Sequence, residues 1–242
     1  MLPDEKQLNS LNHMTPQDLL AWAWHEYGTR VGVFSSFQTT GCVIIDMAQK
    51  VSPKMRVIAI DTLRLPRETY ELMNELSIRY GISIERFQPE SARLEKMVAD
   101  HGEYLFFDSR EKQEFCCRVR KVEPNSRALA TVDVWITGLR RDQSSGRAIT
   151  PKAAVVESGG RNVLKLCPLA DWSEEQVWDY IRQNDVPYNT LYDKGYASIG
   201  CEICSTPIRP GEDKRAGRWR WMNQLDDKHH KECGLHISGS GI

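Results

Sequence analysis

Residues 31–61 read VGVFSSFQTTGCVIIDMAQKVSPKMRVIAID and contain the structural unit that the rest of the chain repeats. The two ends of this stretch, 31–36 and 56–61, are short apolar runs that turn polar, as buried strands do where they open into loops. Between them, the apolar residues from Val43 to Met47 indicate a helix. Two buried strands joined by a helix predict a βαβ unit with parallel strands.

The same alternation continues along the chain. Further strands are predicted at 82–87 and 132–138, with a helix from about Pro66 to Tyr80 between the second and third strands. Beyond these lie two short β-like pieces, at 153–157 and 163–166, joined by a glycine turn. The predicted fold class is therefore α/β: a parallel sheet flanked by helices, with an irregular C-terminal segment.

Length and charge exclude several classes of protein. The 242 residues carry 32 Lys+Arg and 33 Asp+Glu, so a net charge of -1 offers no general attraction for nucleic acid. No apolar run is long enough to span a bilayer, and the first ten residues are acidic and polar, unlike a signal peptide. We expect a cytoplasmic protein that binds neither nucleic acid nor membrane. It is predicted to be one domain overall, with an α/β part at 1–200 and a C-terminal segment at 201–242.

The seven cysteines are the most informative residues. In a reducing compartment they are more often ligands, nucleophiles or core residues than disulfide partners. Cys201 and Cys204 form a Cys-x-x-Cys pair, which suits a metal centre or a redox disulfide. Cys116 and Cys117 are adjacent, and on a helix their side chains diverge by about 100°. Such a pair fits an iron–sulfur cluster, with a separate iron for each thiolate, better than one tetrahedral zinc, although spacing alone leaves zinc open.

Two other cysteines have apolar surroundings in the sequence. Cys42 lies on the apolar face of the first predicted βαβ helix, and Cys167 follows a short strand and precedes Pro168. Free cysteine is commonly a small buried residue. We therefore predict packing roles for both.

Several separated motifs, taken together and in order, resemble one family over nearly the whole chain, from about Val31 to His236. The chain looks like the assimilatory, iron–sulfur branch of the adenylyl-sulfate/phosphoadenylyl-sulfate reductase family. The resemblance rests on Cys116-Cys117 with Arg120-Lys121, the loop TGLRRDQSSGRA at 137–148, the pair Cys201 and Cys204, and KECGLH at 231–236.

The resemblance implies a fold, a cofactor and a reaction. The fold is an adenine-nucleotide α-hydrolase-like (Rossmann-like) parallel sheet. The four paired cysteines match ligands of a 4Fe-4S cluster, and Cys233 matches the nucleophile. The reaction is the thioredoxin-dependent reduction of adenylyl sulfate to sulfite and AMP through an enzyme S-sulfocysteine, as part of cysteine biosynthesis. The implied partners are thioredoxin or a glutaredoxin-like reductant, and the family is compatible with a homo-oligomer.

A phosphosulfate substrate needs cations and hydrogen-bond donors. The resemblance, together with the positions of loops after the predicted strands, implies these substrate-binding residues: Ser35, Ser36, Asp61, Thr62, Arg64, Lys121, Arg140, Arg141, Arg215, Arg218 and His236. Leu63 stands where the family usually has glycine, which raises the expectation of a different turn. The loop at 35–41 is closer to that of phosphoadenylyl-specific relatives, so the nucleotide preference stays open.

Three other functions compete with this reading. The first is reduction of phosphoadenylyl sulfate by the same chemistry. The second is an adenylating pyrophosphatase-type enzyme that acts on ATP. That class requires a Ser-Gly-Gly-x-Asp-Ser loop after the first strand, where this chain has SSFQTTG. The third is a non-catalytic iron–sulfur redox sensor, which accounts for the two cysteine pairs and leaves Cys233 without a task.

Overall fold

A computed structural model describes residues 2–223, and within them six strands form one sheet. The strand order is β3-β2-β1-β4-β6-β5. The strands are β1 (Val31–Ser35), β2 (Arg56–Ile60), β3 (Ile84–Phe87), β4 (Val134–Thr137), β5 (Ala153–Ser158) and β6 (Arg161–Leu166).

The pairing confirms the predicted mostly parallel sheet. Strand β1 is buried along its whole length and pairs in parallel with β2 on one side and β4 on the other. Strand β6 continues the parallel order beyond β4, whereas β5 runs antiparallel to β6 at the edge. The β5–β6 hairpin turns through Gly159 and Gly160, whose φ angles of 57° and 76° are those that a two-residue hairpin turn of this kind requires.

The α-helices of the described residues begin and end largely where local signals place them. They are α1 (Glu5–Asn12), α2 (Pro16–Tyr27), α3 (Thr39–Val51), α4 (Arg67–Tyr80), α5 (Ser91–His101), α6 (Arg110–Cys117), α7 (Glu123–Leu129), α8 (Glu174–Asn184) and α9 (Arg220–Asn223). Thr15 caps α2, and Ser173 forms a capping box with Gln176 at the start of α8. None of these helices has the length and hydropathy that crossing a bilayer requires.

The chain folds into two compact units, which we name the sheet unit and the cysteine unit. The sheet unit comprises residues 2–59, 71–86 and 126–188. The cysteine unit comprises residues 60–70, 87–125 and 189–223 of the described chain. Of the C-terminal segment predicted from residue 201, residues 201–223 belong to the cysteine unit, and the boundary at residue 200 stays a prediction.

Candidate active site

The loop after β1 in the sheet unit is tightly folded on itself. The buried hydroxyl of Ser35 accepts the backbone N–H of Phe37 at 3.0 Å, and Phe37 takes a left-handed φ of 56°. Gly41 in the first turn of α3 faces Ser35 Oγ so closely that no Cβ fits there. Ser36 is exposed, and its hydroxyl accepts from the Gln38 amide at 3.1 Å. The loop therefore brings both predicted serines to the start of α3, the positive end of the helix dipole.

The two arginines after β4 differ in their surroundings. Arg140 is buried, and its guanidinium donates to the Asp142 carboxylate at 2.9 Å and to the Thr40 hydroxyl. Arg141 is exposed and donates to the Thr150 carbonyl oxygen at 2.9 Å. Arg140 thus ties this loop to the first turn of α3, a structural task that the sequence did not indicate. Anion binding by either arginine stays a prediction.

In the cysteine unit, the Asp61 carboxylate is held by three internal hydrogen bonds. It accepts the backbone N–H of Leu63 at 2.9 Å, the Tyr70 hydroxyl at 2.7 Å and the Gln88 amide at 2.9 Å. Asp61 is 1% exposed. Its carboxylate therefore shapes the turn at 61–64, and any contact with substrate stays a prediction.

The turn at 61–64 holds the Cys201–Cys204 segment. Thr62 Oγ1 lies 3.2 Å from Cys201 Sγ, and the backbone carbonyl of Arg64 accepts the N–H of Glu202 at 2.8 Å. The Arg64 guanidinium is fixed over the Phe106 ring, 5.0 Å from its centroid. Two of the predicted substrate-binding residues, Thr62 and Arg64, are therefore in direct contact with this cysteine segment.

Leu63 adopts a φ of 57°, the left-handed conformation that glycine favours. This backbone costs an L-residue about 1–2 kcal/mol, while glycine loses about 0.5–1 kcal/mol more in conformational entropy on folding. Because the Leu63 side chain is 45% exposed and contributes little packing, we expect Leu63→Gly to raise the free energy of unfolding by about 0.5–1 kcal/mol. Urea unfolding measures this change. Leu63→Ala is the matched control, which keeps the strained φ and is expected to give no gain; a less stable glycine variant would contradict the strain.

Cys116 and Cys117 occupy the last two positions of α6, where the helix widens into a π-helical segment, Arg118–Val122. Such segments are frequent at functional sites. Cys116 is buried in the hydrophobic cluster that contains Phe106. Cys117 is half-buried, and its sulfur accepts the Gln113 amide at 3.1 Å. The two thiols therefore face different surroundings, as their adjacent helical positions predict.

Arg120 is a site residue that the sequence reasoning missed. It is buried, donates to the Thr62 carbonyl oxygen at 2.9 Å and acts electrostatically on the Cys116 thiol. Burial raises the pKa of Cys116, and the nearby positive charges of Arg120 and Arg64 oppose this rise. Its position in the sequence, three residues after the tandem cysteines and in the same motif as Lys121, could have indicated a role in the site.

Cys201 and Cys204 lie at either end of a short 3-10 turn and interact directly. The pKa of Cys201 is lowered because the Cys204 thiol donates a hydrogen bond to it, with further contributions from Thr62 and the cations Lys121 and Arg218. The pKa of Cys204 is raised because it retains the donated proton and is itself buried. One thiolate is thus stabilised in this pair before any ligand is bound.

The two predicted arginines after this pair also belong to the cysteine unit. Arg218 is buried and donates to the Cys204 carbonyl oxygen at 3.1 Å, and its guanidinium lies so close to Gly200 that a Cβ there would displace it. Arg215 is half-buried, with its backbone N–H bound to the Asp213 carboxylate at 2.8 Å. Cys233 and His236 lie outside the described residues.

The four paired cysteines lie in the cysteine unit. Within residues 2–223, no group of three or more His, Cys, Asp or Glu side chains is arranged to hold a metal ion. The two cysteine pairs nevertheless lie near each other, since Cys116 interacts electrostatically with Cys201, and Cys117 with Cys204. Four thiols beside several cations are the donors that an anionic iron–sulfur cluster uses, and its irons require less convergence than one zinc ion.

Comparison with known proteins places these observations in a family. Residues 30–207 match the phosphoadenosine phosphosulfate reductase domain. The chain is 46% identical over 182 residues to the adenosine 5'-phosphosulfate reductase of Burkholderia cepacia, covering 75% of this chain and 70% of that protein. It is 39% identical over 235 residues to the protein of the same name from Pseudomonas aeruginosa (strain UCBPP-PA14), covering 94% of this chain and 84% of that protein.

A solved structure from the same family is similar to this chain in both fold and sequence. The phosphoadenylyl-sulfate reductase of Candida auris, in a phosphate complex, superposes with a TM-score of 0.71 at 31% identity, covering 86% of this chain and 99% of that one. The comparisons confirm the family resemblance and the adenine-nucleotide α-hydrolase-like fold predicted from the sequence.

Proposed function

Because the chain belongs to the phosphoadenosine phosphosulfate reductase family, we propose that it reduces adenylyl sulfate to sulfite and AMP. The relatives with the higher sequence identity are named adenosine 5'-phosphosulfate reductases, and the protein named for the 3'-phosphorylated substrate is more distant. That difference favours adenylyl sulfate over phosphoadenylyl sulfate. The observation that carries the proposal is the similarity to these relatives along nearly the whole chain.

The first chemical step is assigned to Cys233. Its thiolate attacks the sulfur of the sulfate group, the bond between that sulfur and the bridging oxygen breaks, and AMP leaves with the bridging oxygen and the electron pair. The product on the enzyme is an S-sulfocysteine. A thiolate is required because the neutral thiol is a poor nucleophile, so the site needs cations that lower the pKa of Cys233.

The second step needs a dithiol, for which we propose thioredoxin or a glutaredoxin-like protein. One of its thiolates attacks the sulfur of Cys233 and releases sulfite, which carries away the electron pair of the broken S–S bond. The second thiol of the donor then displaces Cys233 as a thiolate. The donor leaves as a disulfide, having supplied the two electrons that reduce sulfate to sulfite. A nucleophilic thiol must stay reduced between turnovers, which supports a cytoplasmic location.

The substrate-binding residues predicted from the sequence are part of this proposal. In the cysteine unit, Lys121 and Arg218 already act electrostatically on a thiolate, so their charges are suited to anions. Arg215, Thr62 and Arg64 belong to the same unit. In the sheet unit, Ser35 is the last residue of β1 and Ser36 follows it, while Arg140 and Arg141 follow β4. Open α/β sheets bind ligands at these carboxyl ends of the strands. Asp61 and His236 complete the predicted set.

We assign the four paired cysteines as the residues that hold a 4Fe-4S cluster: Cys116, Cys117, Cys201 and Cys204. When bound, the cluster supplies an electrostatic environment for the anionic substrate, and the two steps above do not require its oxidation state to change. Arg120 and Thr62 support the cysteines, since Arg120 donates to the Thr62 carbonyl oxygen and acts electrostatically on the Cys116 thiol. The Thr62 hydroxyl in turn contacts Cys201.

Steady-state assays with thioredoxin test the substrate assignment directly. Sulfite release is measured with adenylyl sulfate and with phosphoadenylyl sulfate as alternative substrates. We expect the higher kcat/KM with adenylyl sulfate. A higher value with the 3'-phosphorylated substrate would move the chain to the other branch of the family, and an absence of sulfite with both would refute a reductase.

A further inference from the structure

Lys165 is a buried cation in the sheet unit that has no role in the chemistry above. It lies on β6 and is 5% exposed. Its ammonium sits over the ring of Trp135, 4.9 Å from the centroid. Among the residues that the structure describes, no carboxylate or hydrogen-bond acceptor contacts this ammonium. Burial lowers the pKa of Lys165, because it disfavours the charged form of the side chain.

Lys152 is a second buried lysine of the sheet unit, and its ammonium has a structural role. It is 7% exposed, nearly as buried as Lys165. Its ammonium donates to the Met14 carbonyl oxygen at 3.0 Å and pairs with the Asp171 carboxylate at 2.8 Å. Two buried lysines therefore lie in one unit, and only Lys152 finds its acceptors among residues 2–223.

Two groups, Cys167 and Arg147, act electrostatically on the ammonium of Lys165. Cys167 lies directly after the end of β6, two residues beyond Lys165. Burial raises the pKa of Cys167 to about 11, so this thiol is neutral at physiological pH. The other charged group that acts on Lys165 is the guanidinium of Arg147, a second cation. A bound anion would offset the burial and the repulsion by Arg147, and would stabilise the charged form of Lys165.

Lys165 also lies where a ligand can reach the sheet. It pairs in register with Trp135 of β4 and stands one residue before the carboxyl end of β6. Arg147 belongs to the loop that follows β4. In open parallel sheets, ligands bind outside the carboxyl ends of the strands, next to such loops.

We propose that Lys165, supported by Arg147, binds an oxyanion: a phosphate or sulfate group. Two sources share this chemistry, namely the phosphosulfate end of the nucleotide substrate and a free inorganic oxyanion. The nucleotide source rests on the proposed function, whereas oxyanion binding itself does not. Lys165 would then be a binding residue, and its charge would be compensated only in the liganded protein.

Equilibrium binding to the full-length protein tests this proposal. AMP, adenosine and inorganic sulfate are titrated into the wild type, Lys165→Met and Lys165→Gln, with Lys152→Met as the matched control and Lys165→Arg as the rescue. We expect both uncharged variants at Lys165 to weaken AMP binding about 10- to 100-fold and to leave adenosine binding unchanged. Lys165→Arg is expected to restore most of the affinity for AMP. Lys152→Met is expected to bind AMP like the wild type.

Thermal stability of the unliganded variants separates binding from structure. Removing the charge of Lys165 is expected to leave Tm unchanged or to raise it. Lys152→Met is expected to lower Tm, because the variant loses the ion pair with Asp171 and the hydrogen bond to the Met14 carbonyl oxygen.

The binding results distinguish the two sources of the oxyanion. A loss of AMP affinity identifies the nucleotide as the source; a loss of sulfate affinity alone identifies the free ion. The proposal is overturned if neither affinity changes. If the wild type binds sulfate through Lys165 and does not bind AMP, this inference stands and the proposed function fails.

Discussion

Cys233→Ser is expected to lower kcat/KM for sulfite formation by about a thousandfold or more, the loss typical when an enzyme loses its nucleophile. A serine hydroxyl is not ionised near neutral pH, whereas a thiolate in a cationic setting is both ionised and strongly nucleophilic. Sulfite release is measured under anaerobic conditions with adenylyl sulfate and reduced thioredoxin. The same preparation is assayed for iron and for AMP binding, which are expected to match the wild type.

Cys42→Ala is the matched control for the nucleophile. Cys42 is fully buried in α3, and burial raises the pKa of its thiol to about 12. It is therefore neither ionised nor accessible, and its replacement is expected to leave sulfite formation intact in protein that folds. Sulfite formation that persists in Cys233→Ser, or that is lost equally in Cys42→Ala, would refute the assignment of Cys233.

The second large effect is expected at the cluster ligands. Cys201→Ser should reduce bound iron and sulfide to near background, because a serine hydroxyl does not replace the thiolate that the structure stabilises through Thr62 and Cys204. Iron and sulfide are quantified in anaerobically purified protein, together with the visible absorbance of the cluster. We also expect lower thermal stability, since metal binding contributes to folding free energy.

The control for the cluster is again a cysteine of the sheet unit. Cys42→Ala is expected to retain iron and sulfide at the wild-type level. Two results would contradict the cluster assignment: wild-type protein that contains zinc without iron and sulfide, or a Cys201→Ser variant that keeps its full iron content. Either result would leave the nucleophile at Cys233 untested by this experiment and would call for a different role of the cysteine pairs.

Local sequence signals predicted most of the sheet unit. Strands such as Val31–Ser35 are continuous apolar runs, and Ser173 with Gln176 forms a cap within four residues, so neither depends on distant contacts. Helix α1 was missed although Asp4 and Gln7 form a capping box. Its single buried residue, Leu11, leaves no apolar stripe for a pattern to detect.

The site was only partly predictable for a physical reason. The spacing of the cysteine pairs indicates a site, but the residues that contact these cysteines are distant from them in the sequence. Arg120 contacts Thr62, which is 58 residues away in the sequence, and Thr62 contacts Cys201, which is 139 residues away. The internal hydrogen bonds of Asp61 are likewise a tertiary property, as is the lack of an acceptor for Lys165 among residues 2–223. No local pattern distinguishes a lysine with an anionic partner from one without.

Transfer of the sulfo group from adenylyl sulfate to Cys233 is tested by mass spectrometry. The full-length protein is incubated with adenylyl sulfate in the absence of any reductant, and the peptide containing Cys233 is analysed. We expect one sulfo group on Cys233, formed together with AMP and removed as sulfite when reduced thioredoxin is added. AMP release with an unmodified Cys233, or a sulfo group on another cysteine, would contradict it.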